Sequence, residues 1–73
     1  MPYKIYYQYR SMNPVYYGTF EFENEQEAVN YAFKIAKHAL KSYEKEINTD
    51  KYEDFYSYMF DVMDFWAVKV DDE

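Results

Sequence analysis

The apolar residues of this chain are spaced in two different ways, and the spacing changes at Asn24. Before Asn24, aromatic and β-branched residues recur at every second position in two runs, residues 3–10 and residues 15–23. A period of two is typical of strands that bury one face. Residues 11–14 separate the runs and include Asn13 and Pro14, which favour a turn. The first third of the chain therefore predicts a hairpin of two antiparallel strands.

The alternation also predicts which residues share a face of each strand. In the first strand the two faces carry Tyr3, Ile5, Tyr7 and Tyr9, and Lys4, Tyr6, Gln8 and Arg10. In the second strand they carry Tyr16, Gly18, Phe20 and Phe22, and Tyr17, Thr19, Glu21 and Glu23. Depending on the register, we expect either Tyr6 with Lys4 and Arg10, or Tyr17 with Thr19, on a face open to solvent.

After Asn24 the apolar residues follow the spacing of an α-helix. Intervals of three and four positions separate Val29, Phe33, Ala36, Leu40, Tyr43 and Ile47. This stripe is widened by Ala28, Ala32, Ile35 and Ala39. Asn24 followed by Glu27 has the pattern of an N-cap with its capping-box partner. We therefore predict a helix over residues 25–46, with an apolar face broad enough to cover a sheet.

A second helix and a last strand are predicted beyond Asn48 and Thr49. Asp50 and Glu53 repeat the capping pattern, and the helix is expected to run for about 14 residues. Its predicted buried residues are Tyr52, Phe55, Tyr56, Met59, Val62 and Met63. The alternation of Trp66, Val68 and Val70 with Ala67 and Lys69 then predicts a short strand.

These elements predict an α+β fold with a small three-stranded antiparallel sheet and two helices packed on one face, in the order ββααβ. The 73 residues are expected to form a single domain, since this length is about half that of a typical one. A short chain has little core to spare, but 11 Tyr, 6 Phe and 1 Trp supply large apolar side chains.

The residue types argue against several classes of function. The chain has no cysteine, which excludes a disulfide scaffold and Cys-ligated zinc. It also lacks an EF-hand, a pair of metal-ligand histidines and a Gly-rich phosphate loop, so we expect no metal and no cofactor. The one histidine, His38, lies on the lysine side of the first predicted helix, and Ser11, Ser42 and Ser57 lack the setting of a nucleophile. We therefore predict a protein that is not an enzyme.

The net charge of −6 is concentrated in residues 46–73, which carry nine acids against two lysines. Duplex DNA and anionic membranes both need a cationic protein face, so we expect neither as a partner. No apolar run approaches the about 20 residues of a membrane span, and the N-terminus lacks a signal-peptide core. The expected location is the cytoplasm.

Each predicted helix carries a charged stripe. On the first helix the stripe consists of Lys34, Lys37, Lys41 and Lys45. These lysines lie toward the negative end of the helix dipole, and this favourable interaction is sufficient to explain them as a solvated basic face. When the second predicted helix is viewed down its axis, one face carries five acids and is flanked by three aromatic residues. The acids are Asp50, Glu53, Asp54, Asp61 and Asp64, and the aromatic residues are Tyr58, Phe60 and Phe65.

The acidic stripe is the candidate partner-binding site. The dipole favours acids at the start of a helix but disfavours Asp61 and Asp64, which are predicted in the last turns and repel each other. Helical stability therefore does not explain them, whereas an interface of charges beside large aromatic anchors does. The alternative is that the acids serve solubility and the aromatic residues pack under the sheet edge.

Three functions follow from these observations. The first is an inhibitor or adaptor whose acidic helix occupies a basic groove on another protein, such as one that normally holds nucleic acid. The second is a single-strand nucleic-acid binder that stacks bases on sheet tyrosines, with Lys4 and Arg10 meeting the backbone. The third is a structural or regulatory homo-oligomer, such as a homodimer, in which the lysine stripe of one copy meets the aspartate stripe of another.

No motif identifies a family for this chain. In length, acidity, tyrosine content and absence of cysteine it resembles the short proteins that bacteriophages encode to block host defence or transcription, including anti-CRISPR proteins and nucleic-acid mimics. The resemblance implies binding and inhibition without an active site, in the cytoplasm of a bacterial host. It carries over no functional residue, and it favours the first of the three functions.

Overall fold

A computed structural model of the chain describes residues 1–44 and 52–71. The elements, in chain order, are β1 (Pro2–Tyr9), β2 (Val15–Glu21), α1 (Glu25–Tyr43), α2 (Phe55–Val62) and β3 (Met63–Lys69). The strands form one antiparallel sheet in the order β2-β1-β3, which places β1 at its centre. The predicted α+β fold and its ββααβ order are therefore confirmed.

A β-bulge changes which residues of β2 share a face. β1 pairs with β2 as far as Ile5 opposite Gly18, and the pairing resumes with Tyr6 opposite Tyr16, so that Tyr17 is the extra residue. Because paired residues point to the same face, Tyr16 lies with Tyr6 on the open face, whereas Phe20 lies with the buried Tyr3 on the helix face. The prediction that Tyr16 and Phe20 share a face is wrong.

The N-terminus of α1 has the predicted cap. The Oδ1 atom of Asn24 accepts a hydrogen bond from the Glu27 N–H at 2.9 Å, and the Glu27 side chain accepts one from the Glu23 N–H at 3.2 Å. The helix ends at Tyr43, earlier than predicted, and Glu44 adopts an extended conformation as its C-cap. Its predicted continuation through Lys45 and Ile47 lies outside the described residues.

The second helix is much shorter than predicted. Asp54 is its N-cap, with Oδ1 accepting from the Ser57 N–H at 2.9 Å, and the helix covers only eight residues. Asp50, the predicted N-cap, lies outside the described residues. The chain passes directly from Val62 into β3, because residues from Met63 onwards pair with β1. Asp64 is therefore a strand residue, and the prediction that it ends a helix is wrong.

The core lies between the sheet and α1. Its buried centre on α1 is a row of alanines, with Ala28, Ala32 and Ala36 fully enclosed, while Phe33 is only half-buried. These small side chains let the helix approach a sheet whose inner face carries tyrosines. Leu40 and Met59 join α1 to α2 in the same core. None of the helices in residues 1–44 and 52–71 has the length and hydrophobicity that a membrane crossing requires.

Candidate functional site

Acidic and aromatic side chains are exposed together around α2. We call this region, formed by Glu53, Tyr56, Phe60 and Asp61, the α2 surface. Phe60 is 57% exposed and Tyr56 is 44% exposed, although both are large and apolar. Their rings pack on one side against Phe33 of α1, at centroid distances of 6.0 and 5.9 Å, which holds them in place. The α2 surface therefore offers two aromatic side chains, supported on one side by Phe33, beside two carboxylates.

The structure separates several residues that the sequence predicted to act together. Tyr58 is only 5% exposed and belongs to the core, and Phe65 lies on β3, half-buried against the same core. Both were predicted to flank the acidic stripe, and for both the prediction is wrong. Asp64 pairs with Gln8 and faces the open side of the sheet with Trp66, away from Asp61. The continuous stripe of five acids is thus reduced to the carboxylates near the start of α2 and Asp61.

Both carboxylates of the α2 surface are exposed. The ion pairs formed within residues 1–44 and 52–71 join Met1 to Glu21 and Arg10 to Glu44, and leave Glu53 and Asp61 out. Asp61 accepts one hydrogen bond at 2.6 Å, from the hydroxyl of Tyr52. That hydrogen bond, together with partial burial, raises the pKa of Tyr52.

A lysine lies at the rim of the α2 surface. Lys37 donates a hydrogen bond to the hydroxyl of Tyr56 at 3.1 Å, and its ammonium lies 5.2 Å from the centre of the Tyr56 ring. It also lies 6.0 Å from the ring of Phe55. Lys37 therefore fixes an aromatic side chain and does not neutralise the acids.

A polar cluster that the sequence analysis missed joins the hairpin to both helices. The carboxylate of Glu44, only 15% exposed, accepts hydrogen bonds from the hydroxyls of Tyr9 and Tyr58 and from the Arg10 guanidinium at 3.2 Å. Arg10 has a left-handed backbone, with φ of 52°, and its N–H donates to the Val62 carbonyl at 2.7 Å. Spacings of three and four positions, which indicate helices, do not predict such a cluster, because its members are far apart in the sequence.

This cluster controls the charge of Glu44. Burial alone would raise the pKa of Glu44, but the hydrogen bonds from Tyr58, Tyr9 and Arg10 outweigh it, and the pKa is lowered. The pKa of Arg10 is raised, first by its hydrogen bond with Tyr9 and then by Glu44. Both groups are therefore ionised at neutral pH. The cluster therefore has a structural role, and it engages the Arg10 side chain, which was one of the candidates for the open sheet face.

The open face of the sheet carries a smaller aromatic group. The Tyr6 and Trp66 rings stack at 5.6 Å with an angle of 11°, and Tyr16, which is 53% exposed, lies 5.6 Å from Tyr6. Lys4 is exposed on the same face. Of the two alternatives that the sequence left open, the face with Tyr6 and Lys4 is the open one, although Tyr6 itself is half-buried.

A cavity of about 300 Å³ lies on the opposite face of the sheet, between β2 and α1. Tyr7, Tyr17 and Tyr43 line it together with His38 and Ser42 of α1. His38 is exposed at its mouth, in agreement with its predicted solvation. Within the described residues, no group of three or more metal-ligating side chains comes together.

Comparison with protein-family models, with curated proteins and with solved structures found no match to this chain. Any assignment of function therefore depends on the surfaces described above.

Proposed function

We propose that the protein is a small non-enzymatic binder that uses the α2 surface to occupy a basic groove on another protein and thereby inhibits it. The observation that carries this proposal is Phe60. It has the largest exposed fraction among the big apolar side chains in the described residues, and Asp61 lies next to it. An exposed aromatic anchor beside carboxylates that form no ion pair within residues 1–44 and 52–71 has the composition of a binding hot spot.

Electrostatics favours a basic partner. The chain has a net charge of −6, so a cationic groove would attract the whole molecule before contact. Glu53 and Asp61 then provide local complementarity, while Phe60 and Tyr56 supply the apolar area from which water is displaced. A groove that normally holds a nucleic-acid backbone has these properties. We extend the proposal to inhibitors of the phage anti-defence type, anti-CRISPR-like or nucleic-acid-mimicking, acting in a bacterial cytoplasm.

The test is affinity capture from a bacterial lysate, eluted with a salt gradient. For the double variant Glu53→Lys with Asp61→Lys we expect the captured partner to fall by about tenfold or more, because two attractive charges become repulsive. Phe60→Ala alone should weaken capture by a similar factor, since a central aromatic anchor is lost. Urea unfolding of each variant checks that the fold is kept.

The matched control is Glu23→Lys with Asp64→Lys, which changes the net charge by the same amount on exposed residues outside the α2 surface. It should retain the partner. Equal loss in both double variants would reduce the effect to net charge and contradict a defined surface. A mass that doubles on gel filtration and falls back in high salt would instead favour the homo-oligomer.

The second candidate, a single-strand nucleic-acid binder, is favoured by the aromatic group on the open sheet face, in which the exposed Tyr16 packs beside the half-buried Tyr6 and Trp66. It is weakened because Arg10 belongs to the Glu44 cluster and Asp64 lies on the same face. A labelled single-stranded oligonucleotide titrated into the protein distinguishes the two. We expect no saturable binding at physiological salt; binding that Tyr16→Ala abolishes would establish the alternative.

A further inference from the structure

β2 is an edge strand whose outer backbone groups face solvent. It is at the end of the sheet order, and no other strand of the described residues pairs with its outer side. The Phe22 N–H donates to the Met1 carbonyl at 2.9 Å. This pair determines which residues along β2 hydrogen-bond to β1 and which point their backbone groups outwards. Phe20 and Gly18 therefore bond to β1, while the N–H and C=O groups of Thr19 and Glu21 point away from it. Such an edge is a template for another strand.

The helix side of this edge is aromatic and poorly covered. α1 packs on β1 and β3, which leaves Tyr17 48% exposed and Phe20 38% exposed. The Phe20 ring lies over Gly18, at 2.9 Å from where a Cβ would stand, and the Tyr17 ring lies 6.4 Å from that of Tyr31. The cavity lined by Tyr17, Tyr43 and His38 opens beside this aromatic group. Its volume of about 300 Å³ accommodates one large apolar side chain.

The outer face of α1, next to the flank that lines this cavity, is basic. Lys34 and Lys41 are exposed on α1, four positions before and three positions after His38, so they lie next to it on the helix surface. They are about 10 Å apart along the helix axis. In an extended peptide, residues two positions before and two after a central residue are about 13 Å apart. Carboxylates at those two positions therefore have a spacing similar to that of the two lysines.

We propose that β2 is a docking edge for an extended segment of another protein, which pairs as an added strand beside Thr19 and Glu21. The segment inserts an apolar side chain into the cavity lined by Tyr17 and places flanking carboxylates near Lys34 and Lys41. Main-chain hydrogen bonds would supply affinity, and the cavity would supply specificity. The cavity of this site is separate from the α2 surface, because His38 and Ser42 lie on the flank of α1 opposite to Phe33 and Lys37, which border the α2 surface.

The probe is a synthetic capped peptide of seven residues with the order Thr, Glu, Thr, Leu, Thr, Glu, Thr. Its alternation places Leu and both Glu on one face, and its symmetry permits either strand direction. Followed by NMR, binding should protect the amides of Thr19 and Glu21 from exchange and shift the signals of Tyr17 and His38. Replacing Leu by Ala in the peptide should weaken binding by about tenfold, and replacing both Glu by Lys should abolish it.

Matched variants of the protein locate the site. Tyr17→Ala should weaken binding by about tenfold, whereas Tyr16→Ala, an equally exposed tyrosine on the other face, should leave it unchanged. Thr19→Pro removes an outward N–H and should abolish binding, while Thr19→Val should not. If Thr19→Pro loses the dispersed amide spectrum of the folded protein, the two tyrosine variants decide.

Three results would overturn the proposal. The first is no saturable shift with the acidic peptide at millimolar concentration. The second is equal binding of the acidic and lysine peptides, or shifts confined to the α2 surface. The third is protection of Thr19 and Glu21 that rises with protein concentration in the absence of peptide, because a second copy would then occupy the edge. Loss of partner capture through Phe60 leaves this site unaffected, so the two proposals fail separately.

Discussion

Leu40→Ala should lower the free energy of unfolding by about 2 to 5 kcal/mol, the range for deleting most of a buried Leu side chain and leaving a cavity. Leu40 is fully enclosed, and it packs with Ala36 on its own helix and with Met59 and Val62 of α2. A chain of 73 residues has little stability in reserve, so this single truncation should leave the variant close to unfolding at room temperature. Urea denaturation followed by circular dichroism measures the change.

The control is Val68→Ala on the open face of the sheet. Val68 is 44% exposed, and we expect a loss below about 1 kcal/mol. A large loss at Val68 with a small loss at Leu40 would mean that the core lies on the other side of the sheet.

Glu44→Gln should destabilise the protein by about 2 to 4 kcal/mol at neutral pH, because the Arg10 charge and the two tyrosine hydroxyls lose an anionic acceptor. The effect depends on pH. The pKa of Glu44 is lowered in the folded state, so its stabilising contribution is complete above the unfolded value of about 4.3 and disappears as the pH falls through the folded value.

Denaturant unfolding of both proteins from pH 7 down to pH 3 measures this dependence. The difference between them should be constant between about pH 5 and pH 7 and should shrink below about pH 4. Glu23→Gln serves as the control, since Glu23 is exposed and its side chain takes no part in the cluster. A difference that stays constant down to pH 3 would show that Glu44 is not held as a carboxylate by its three donors.

The fold was predictable because its two hydrophobic periods are local properties of the chain. Asn24 and Glu27 mark the change between them, and the cap geometry follows from those side chains alone. The position of the buried centre was not predictable in the same way. Apolar spacing favoured Val29 and Phe33, but the tyrosines on the sheet already fill the space, so α1 packs through Ala28 and Ala32. Only the tertiary arrangement determines which of two apolar rows faces inwards.

The candidate site was predicted less well for a similar reason. No glycine or proline marks the end of α2, and pairing with β1 converts Asp64 and Phe65 from helix to strand. A non-local interaction therefore overrode the local helical pattern. Both Asp50 and Asp54 have the residue type of an N-cap, so the residue type alone does not distinguish the predicted cap, Asp50, from Asp54, which caps the helix. Phe60 and Asp61, which lie within the helix that does form, kept their predicted exposure.

The central position of β1 has a consequence for synthesis. β1 is made before both helices, and one of its two pairing partners, Met63–Lys69, is made after them. While residues 63–69 are still inside the ribosome, β1 has an unsatisfied side, and Met59 and Val62 have no third strand to cover. The hairpin and α1 can form early from local contacts, but the last kinetic step must wait for this distant segment. The nascent chain would therefore be most prone to aggregation until residues 63–69 have emerged to pair with β1.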